Sequence, residues 1–289
     1  MAKRIAVITD SNSGITQEMA KEMGIFVIPM PFVIGGKTYY EDISLTQDAF
    51  YEKLKNNDDI STSQPAAGDV LAVWDKALGD YDEAVHIPMS SGLSGSCATA
   101  AMLAEEYGGR VAVVNNQRIS VTLRQSVADA LALAEAGKSA AEVKDILEKE
   151  KKESSIYIMV DTLKYLKRGG RVTPAAAAVA TVLQIRPVLQ IQGDKLDAFA
   201  KARSEKQARA IMLDAMRRDM ETRFGGAEQI RIYVAHTNRE EAARDFAKTA
   251  AEELGLEVTY CDPLSLSVSC HIGPGALAIA CSKKIDRYL

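Results

Sequence analysis

Ala84-Val85-His86-Ile87-Pro88-Met89, running into Ser90-Ser91-Gly92-Leu93-Ser94-Gly95-Ser96, decides the fold of this chain. A continuous apolar run, a polar loop and an alanine-rich helical pattern starting near Cys97 read as strand, loop and helix, the repeating unit of an α/β domain. Such a junction aims unpaired backbone N–H groups and the positive end of the helix dipole at one spot. Here hydroxyls and glycines surround that spot, which suits an oxyanion. Simple helix capping by serine explains the same residues, so other segments must decide between the two.

Outward from this junction the pattern repeats. Ile5-Ala6-Val7-Ile8 ends in Thr9-Asp10-Ser11-Asn12-Ser13-Gly14, as a buried parallel strand followed by a turn does. Asp10 is expected to structure its own turn. Residues 25–34 are extended, are interrupted by Pro29 and Pro31, and are expected at a sheet edge, with a hairpin at Gly35-Gly36. Thr46 caps a helix bearing Phe50, Tyr51 and Leu54; a second carries Val70, Leu71 and Trp74. Val111–Val114 supplies another strand, followed by helices over 121–136 and 139–153.

The chain turns charged over 149–155 before Ile156–Val160 opens a new strand, so the domain boundary is placed there. Residues 1–154 are expected as an α/β domain built on a three-layer, mostly parallel sheet. Residues 155–289 are expected as a second α/β domain with a mixed sheet: a hairpin over 188–200, and strands at 230–235 and 256–260 flanking a helix over 239–254. Pro174 and the small residues 175–180 suggest a helix that allows close approach, by tight packing on a sheet or along a narrow apolar tunnel.

Composition narrows the function classes. A formal net charge of -4 argues against a nucleic-acid surface. The N-terminal residues lead straight into a strand with no signal-peptide pattern, and no apolar run reaches membrane-spanning length, so a cytoplasmic protein without stable membrane insertion is expected. Cys97, Cys261, Cys270 and Cys281 lack metal-ligand spacing, so no metal is expected.

Three polar stretches carry the candidate chemistry: Ser61-Thr62-Ser63-Gln64-Pro65, the Ser90–Ser96 loop, and Cys270-His271-Ile272-Gly273-Pro274-Gly275. If they converge, Thr62 and Ser94 hydroxyls and a His271 nitrogen meet one carboxylate, with Ser63, Ser91 and Gly95 in support. Neutral donors suit reversible binding. Each stretch also has a structural explanation in caps, turns or a core histidine. An alternative is a Ser-His hydrolase, since Gly92-Leu93-Ser94-Gly95 begins as a nucleophile elbow and Asp262 and His271 follow in order, although Ser96 replaces the final glycine. There is neither a G-x-G-x-x-G fingerprint nor a Walker-type loop, so no nucleotide cofactor is expected. Lys164, Lys167, Arg168 and Arg171, with Lys201, Arg203 and Lys206, form a basic stretch suited to an acidic partner or to solvent.

Taken together, Thr9-Asp10-Ser11, Thr62-Ser63-Gln64-Pro65, Ser90–Gly95, Asp161-Thr162-Leu163, Leu166–Arg171 and His271 with Gly273-Pro274-Gly275 resemble the DegV family, which includes the fatty-acid-binding subunits of bacterial fatty acid kinase. The resemblance implies two α/β domains with a long-chain fatty acid between them and its carboxylate near Thr62, Ser94 and His271. It also implies that a separate ATP-using kinase subunit converts the bound carboxylate to an acyl phosphate, so that this chain holds no ATP and no cofactor. Arg171 and Arg203 look like the positions that meet that partner. The sequence departs from the family pattern at Ala66-Ala67, at Cys97 and in the serine-rich stretch Ser265–Ser269.

Overall fold

A computed structural model describes residues 3–56, 58–171, 173–175 and 185–289, and the side chains of all of these except 168 and 169. The proposed small-residue helix at 176–180 lies outside the described residues. The chain divides into two compact units, Met1–Lys151 with Ile285–Leu289, and Lys152–Lys284.

The first unit is built on four parallel strands in the order β2-β1-β6-β7, where β1 is Ile5–Asp10, β2 Phe26–Ile28, β6 Glu83–Ile87 and β7 Val111–Val113. Every residue of β1 and β6 is buried, as strands covered on both faces require. One face packs Ala6, Ile8 and Ala84 against Val70, Trp74 and Ala77 of helix Ala67–Asp80 and Cys97 and Ala100 of helix Ser96–Ala104. The helices Ser120–Glu135 and Ala140–Lys149 also pack on the sheet, making three layers. Burial of each large apolar side chain stabilises by about 1.5–3 kcal/mol.

Two prolines split the extended region after Ile25. β2 is the edge of the parallel sheet, as expected, but β3 (Pro31–Ile34) leaves it and becomes the centre of a separate antiparallel sheet, between β4 (Lys37–Tyr40) and β5 (Ile60–Thr62). Thr46 caps helix Gln47–Lys55 through the Ala49 N–H, 3.3 Å away. Helix Ala140–Lys149 is shorter than the 139–153 predicted, with Ser139 and Glu142 forming a capping box at its start.

The second unit carries six strands in the order β10-β9-β8-β13-β11-β12: β8 Ser154–Met159, β9 Arg186–Ile191, β10 Asp197–Ala202, β11 Ile230–His236, β12 Val258–Pro263 and β13 Leu277–Lys283. All neighbours are antiparallel except β11 and β12, so the sheet is mixed. The helices Glu205–Asp219 and Glu240–Leu254 supply Met212, Met216, Phe246 and Ala250 to its core.

The boundary differs from a single cut between 154 and 155. Residues 285–289 belong to the first unit, because Arg287 and Tyr288 bond the buried Glu150 carboxylate at 2.6 and 2.7 Å. On the other side of the crossing, Lys283 N–H donates to the Glu153 carbonyl at 2.9 Å.

Candidate functional site

The chain passes from β1 to β2 on one side of the parallel sheet and from β6 to β7 on the other. The strand order thus reverses between β1 and β6, and the carboxyl ends of strands at such a switch point are where open α/β sheets bind ligands. The Ser90 loop sits there as a compact turn. Leu93 and Ser94 N–H groups donate to the Ser90 carbonyl at 3.0 and 3.2 Å, and Ser90 N–H donates to the Arg118 carbonyl at 2.9 Å. Ser94 Oγ accepts the Ser96 N–H at 3.2 Å. That bond orients the half-buried hydroxyl and leaves its proton to donate to a ligand.

Thr62 ends β5, half-buried and in register with Phe32 of β3. Ser63 N–H extends the pairing to the Pro31 carbonyl at 3.2 Å. The following Gln64 amide donates to Thr99 Oγ at 3.0 Å, on helix Ser96–Ala104. A Cβ on Gly95 would stand 2.9 Å from Gln64 Oε1, so this glycine permits the close approach. The structure thus brings the Thr62 and Ser94 segments together within the first unit. Ser63, Ser91 and Gly95 are exposed.

Asp10, at the end of β1, is buried, and its Oδ2 accepts the Met89 N–H at 2.8 Å. Its Oδ1 accepts the backbone and side-chain N–H groups of Asn12, both at 2.9 Å. Burial pushes its carboxyl up to about 6, against the hydrogen bonds from Met89 and Asn12 that favour the charged form. The expected turn is present, and it also reaches Met89, 79 residues on in sequence.

His271 lies in the second unit, in the last turn of helix Leu266–Ile272, and this corrects its expected position in a loop. The helix is short and serine-rich, which hides it from a periodicity reading. Burial lowers the imidazole pKa to about 4, and the Arg171 cation adds to the effect. His271 is therefore neutral near pH 7, with one nitrogen to donate and one to accept. Arg171 is half-buried, and Arg203 is exposed, its N–H donating to Gln207 Oε1 at 2.8 Å.

The turn after His271 packs closely on Asp161 and Tyr165. A Cβ on Gly273 would approach Tyr165 Cε2 to 2.6 Å, and one on Gly275 would overlap the Asp161 carboxylate, which pairs with Arg186. Gly275 N–H donates to the Thr237 carbonyl at 3.0 Å. Both glycines have positive φ, +81° and +91°. Gly273→Ala is expected to cost about 2 kcal/mol in urea unfolding, through backbone strain and displacement of Tyr165.

The hydrolase reading loses its local basis. Pro88–Leu93 separates Ser94 from β6, and Ser94 is not among the residues with positive φ, so the sharp strand-to-helix turn of a nucleophile elbow is not formed. Among the described residues, no group of three or more His, Cys, Asp or Glu side chains is placed to hold a metal ion, and no helix is long and apolar enough to cross a membrane.

Comparison with known proteins agrees with these features. A DegV domain-containing protein of Listeria monocytogenes is 32% identical over 291 residues, covering 98% of this chain and all of the relative. A DegV family protein from Thermus thermophilus, solved for its fatty acid binding, superposes with a TM-score of 0.88 at 31% identity, over 97% of this chain and 100% of that one. DegV from Bacillus subtilis, a fatty acid binding protein, gives a TM-score of 0.85 at 30% identity, over 98% and 100%. The DegV family model matches residues 4–284, and the chain belongs to the DegV family.

Proposed function

We propose that this protein binds a long-chain fatty acid, with the carboxylate held by Thr62, Ser94 and His271. The reading is carried by its full-length likeness, above one quarter identity, to the Thermus and Bacillus fatty-acid-binding proteins. Supporting it are the adjacent Thr62 and Ser94 segments, the donor left on Ser94, and a His271 that stays neutral at physiological pH. Burying about ten methylenes at roughly 0.8 kcal/mol each supplies on the order of 8 kcal/mol before ordering costs. The polar groups then select a carboxylate, because an alkyl chain without one leaves buried donors unpaired.

We further propose that the bound carboxylate is presented to an ATP-using kinase subunit that forms the acyl phosphate, with Arg171 and Arg203 at the docking surface. Mass spectrometry of lipid extracted from denatured protein, against a mock purification, is expected to reveal near-stoichiometric fatty acid. Ser94→Ala and His271→Ala are each expected to weaken fatty acid binding about tenfold, as loss of one charge-assisted hydrogen bond does. Unchanged affinity in both variants refutes the carboxylate assignment. Charge reversal at Arg171 and Arg203 is expected to abolish kinase-dependent acyl phosphate formation, and unchanged formation rejects the docking assignment.

A further inference from the structure

The turn Thr9–Ser13 supplies none of the three donors assigned to the carboxylate, yet all five of its residues are buried. Its polar groups reach two separate segments. Toward β6, Thr9 Oγ donates to the Ile87 carbonyl at 2.9 Å, and Asp10 Oδ2 accepts the Met89 N–H at 2.8 Å. Toward β3, Ser11 Oγ accepts the Met30 N–H at 3.1 Å. Met89 opens the loop that ends in Ser94. Met30 precedes β3, where Phe32 pairs with Thr62 and the Pro31 carbonyl takes the Ser63 N–H. One turn thus grips both arms that carry the hydroxyls.

We propose that Asp10 and Ser11 are positioning residues for carboxylate recognition, Asp10 fixing the Ser94 loop through Met89 and Ser11 fixing the Thr62 strand through Met30. This inference rests on the assignment of Thr62 and Ser94 as carboxylate donors. The residue types follow from the donors they meet. Met89 N–H approaches one oxygen of Asp10 while two N–H groups of Asn12 approach the other, so both positions must accept. An ionised carboxylate does so; an amide turns an NH2 group toward one of these donors. At position 11 a single hydroxyl oxygen meets Met30, and alanine removes it.

A small displacement of either arm lengthens a hydrogen bond to the headgroup and leaves apolar contacts with the acyl chain intact. Headgroup selectivity therefore reads positioning where overall affinity does not. The test compares binding of palmitate and of hexadecanol by delipidated wild-type protein, Asp10→Asn, Ser11→Ala and the double variant, with thermal melting of each. The wild type is expected to prefer palmitate. Each single variant is expected to lose about tenfold in palmitate affinity while hexadecanol affinity stays within about twofold, and the double variant to lose more than either. Ser11→Ala, the milder change, carries the test if Asp10→Asn does not fold. Folded variants that keep the wild-type preference, or that lose both ligands equally, overturn the positioning role alone. A wild type without preference for the acid overturns the carboxylate assignment and this inference with it.

Discussion

Acidification from pH 6.5 to 3 is expected to remove on the order of 5 kcal/mol of folding stability through His86 alone. His86 is buried in β6, its ring edge-on to Trp74 at 5.6 Å, and among the described residues neither of its nitrogens has a hydrogen-bond partner. Burial depresses its pKa to about 3, so the folded state holds it neutral while the unfolded chain protonates near 6.5. Its contribution is complete above 6.5 and is lost as pH falls toward 3. Asp10 acts in the opposite sense. Its raised pKa of about 6 favours the protonated form in the fold, so it restores roughly 3 kcal/mol as pH falls from 6 to 3.8. The larger shift wins, and the wild type weakens on acidification.

A comparison with His86→Phe cancels the Asp10 contribution. Phenylalanine keeps a ring against Trp74 and removes the titrating group. The stability difference between variant and wild type is expected to move by about 3 kcal/mol in favour of the variant between pH 7 and pH 4.5. Urea unfolding followed by the fluorescence of Trp74, the single tryptophan of the chain, measures it in the first unit. Parallel pH courses for the two proteins disprove the role of His86.

The second large effect concerns Glu150. Its carboxylate is 3% exposed and takes the Arg287 guanidinium on one oxygen and the Tyr288 hydroxyl on the other, while its own carbonyl takes the buried Arg118 guanidinium at 3.1 Å. Removing both donors by Arg287→Ala with Tyr288→Phe leaves a buried charge without its partners. About 3 kcal/mol of destabilisation is expected, at the low end for a broken buried pair because Arg287 is partly open to solvent. Adding Glu150→Gln is expected to recover part of the loss, since a neutral amide is less costly to bury. Equal stability of the double and triple variants, or no loss in the double, rejects this account.

Much of the first unit was legible from sequence because its signals are local. The apolar run at 84–87, the cap at Thr46 and the glycine pair at 35–36 each act over a few residues, and each element appears where they put it. What the sequence hid is long-range. Nothing near Asp10 announces Met89, 79 residues away. β13 is central in its sheet and almost wholly buried; its short apolar run after a Gly-Pro-Gly turn fits a buried strand or a helix segment equally well, and its place between β8 and β11 is set by partners far away in sequence. The exchange of partners at Pro29 and Pro31 shows why extended conformation does not specify which sheet a strand joins. His271 stands out in the sequence by residue type, whereas its helix does not, because serine is a weak helix former and the element has only seven residues.

Because residues 285–288 close onto Glu150, the second unit is an insertion within the sequence of the first. During synthesis every strand of the inserted unit leaves the ribosome before the clasp of the surrounding one exists. The first unit must wait, with a buried acid still unmatched, through the making of more than a hundred further residues. A chain truncated after residue 284 therefore keeps every strand of the second unit and lacks the clasp of the first.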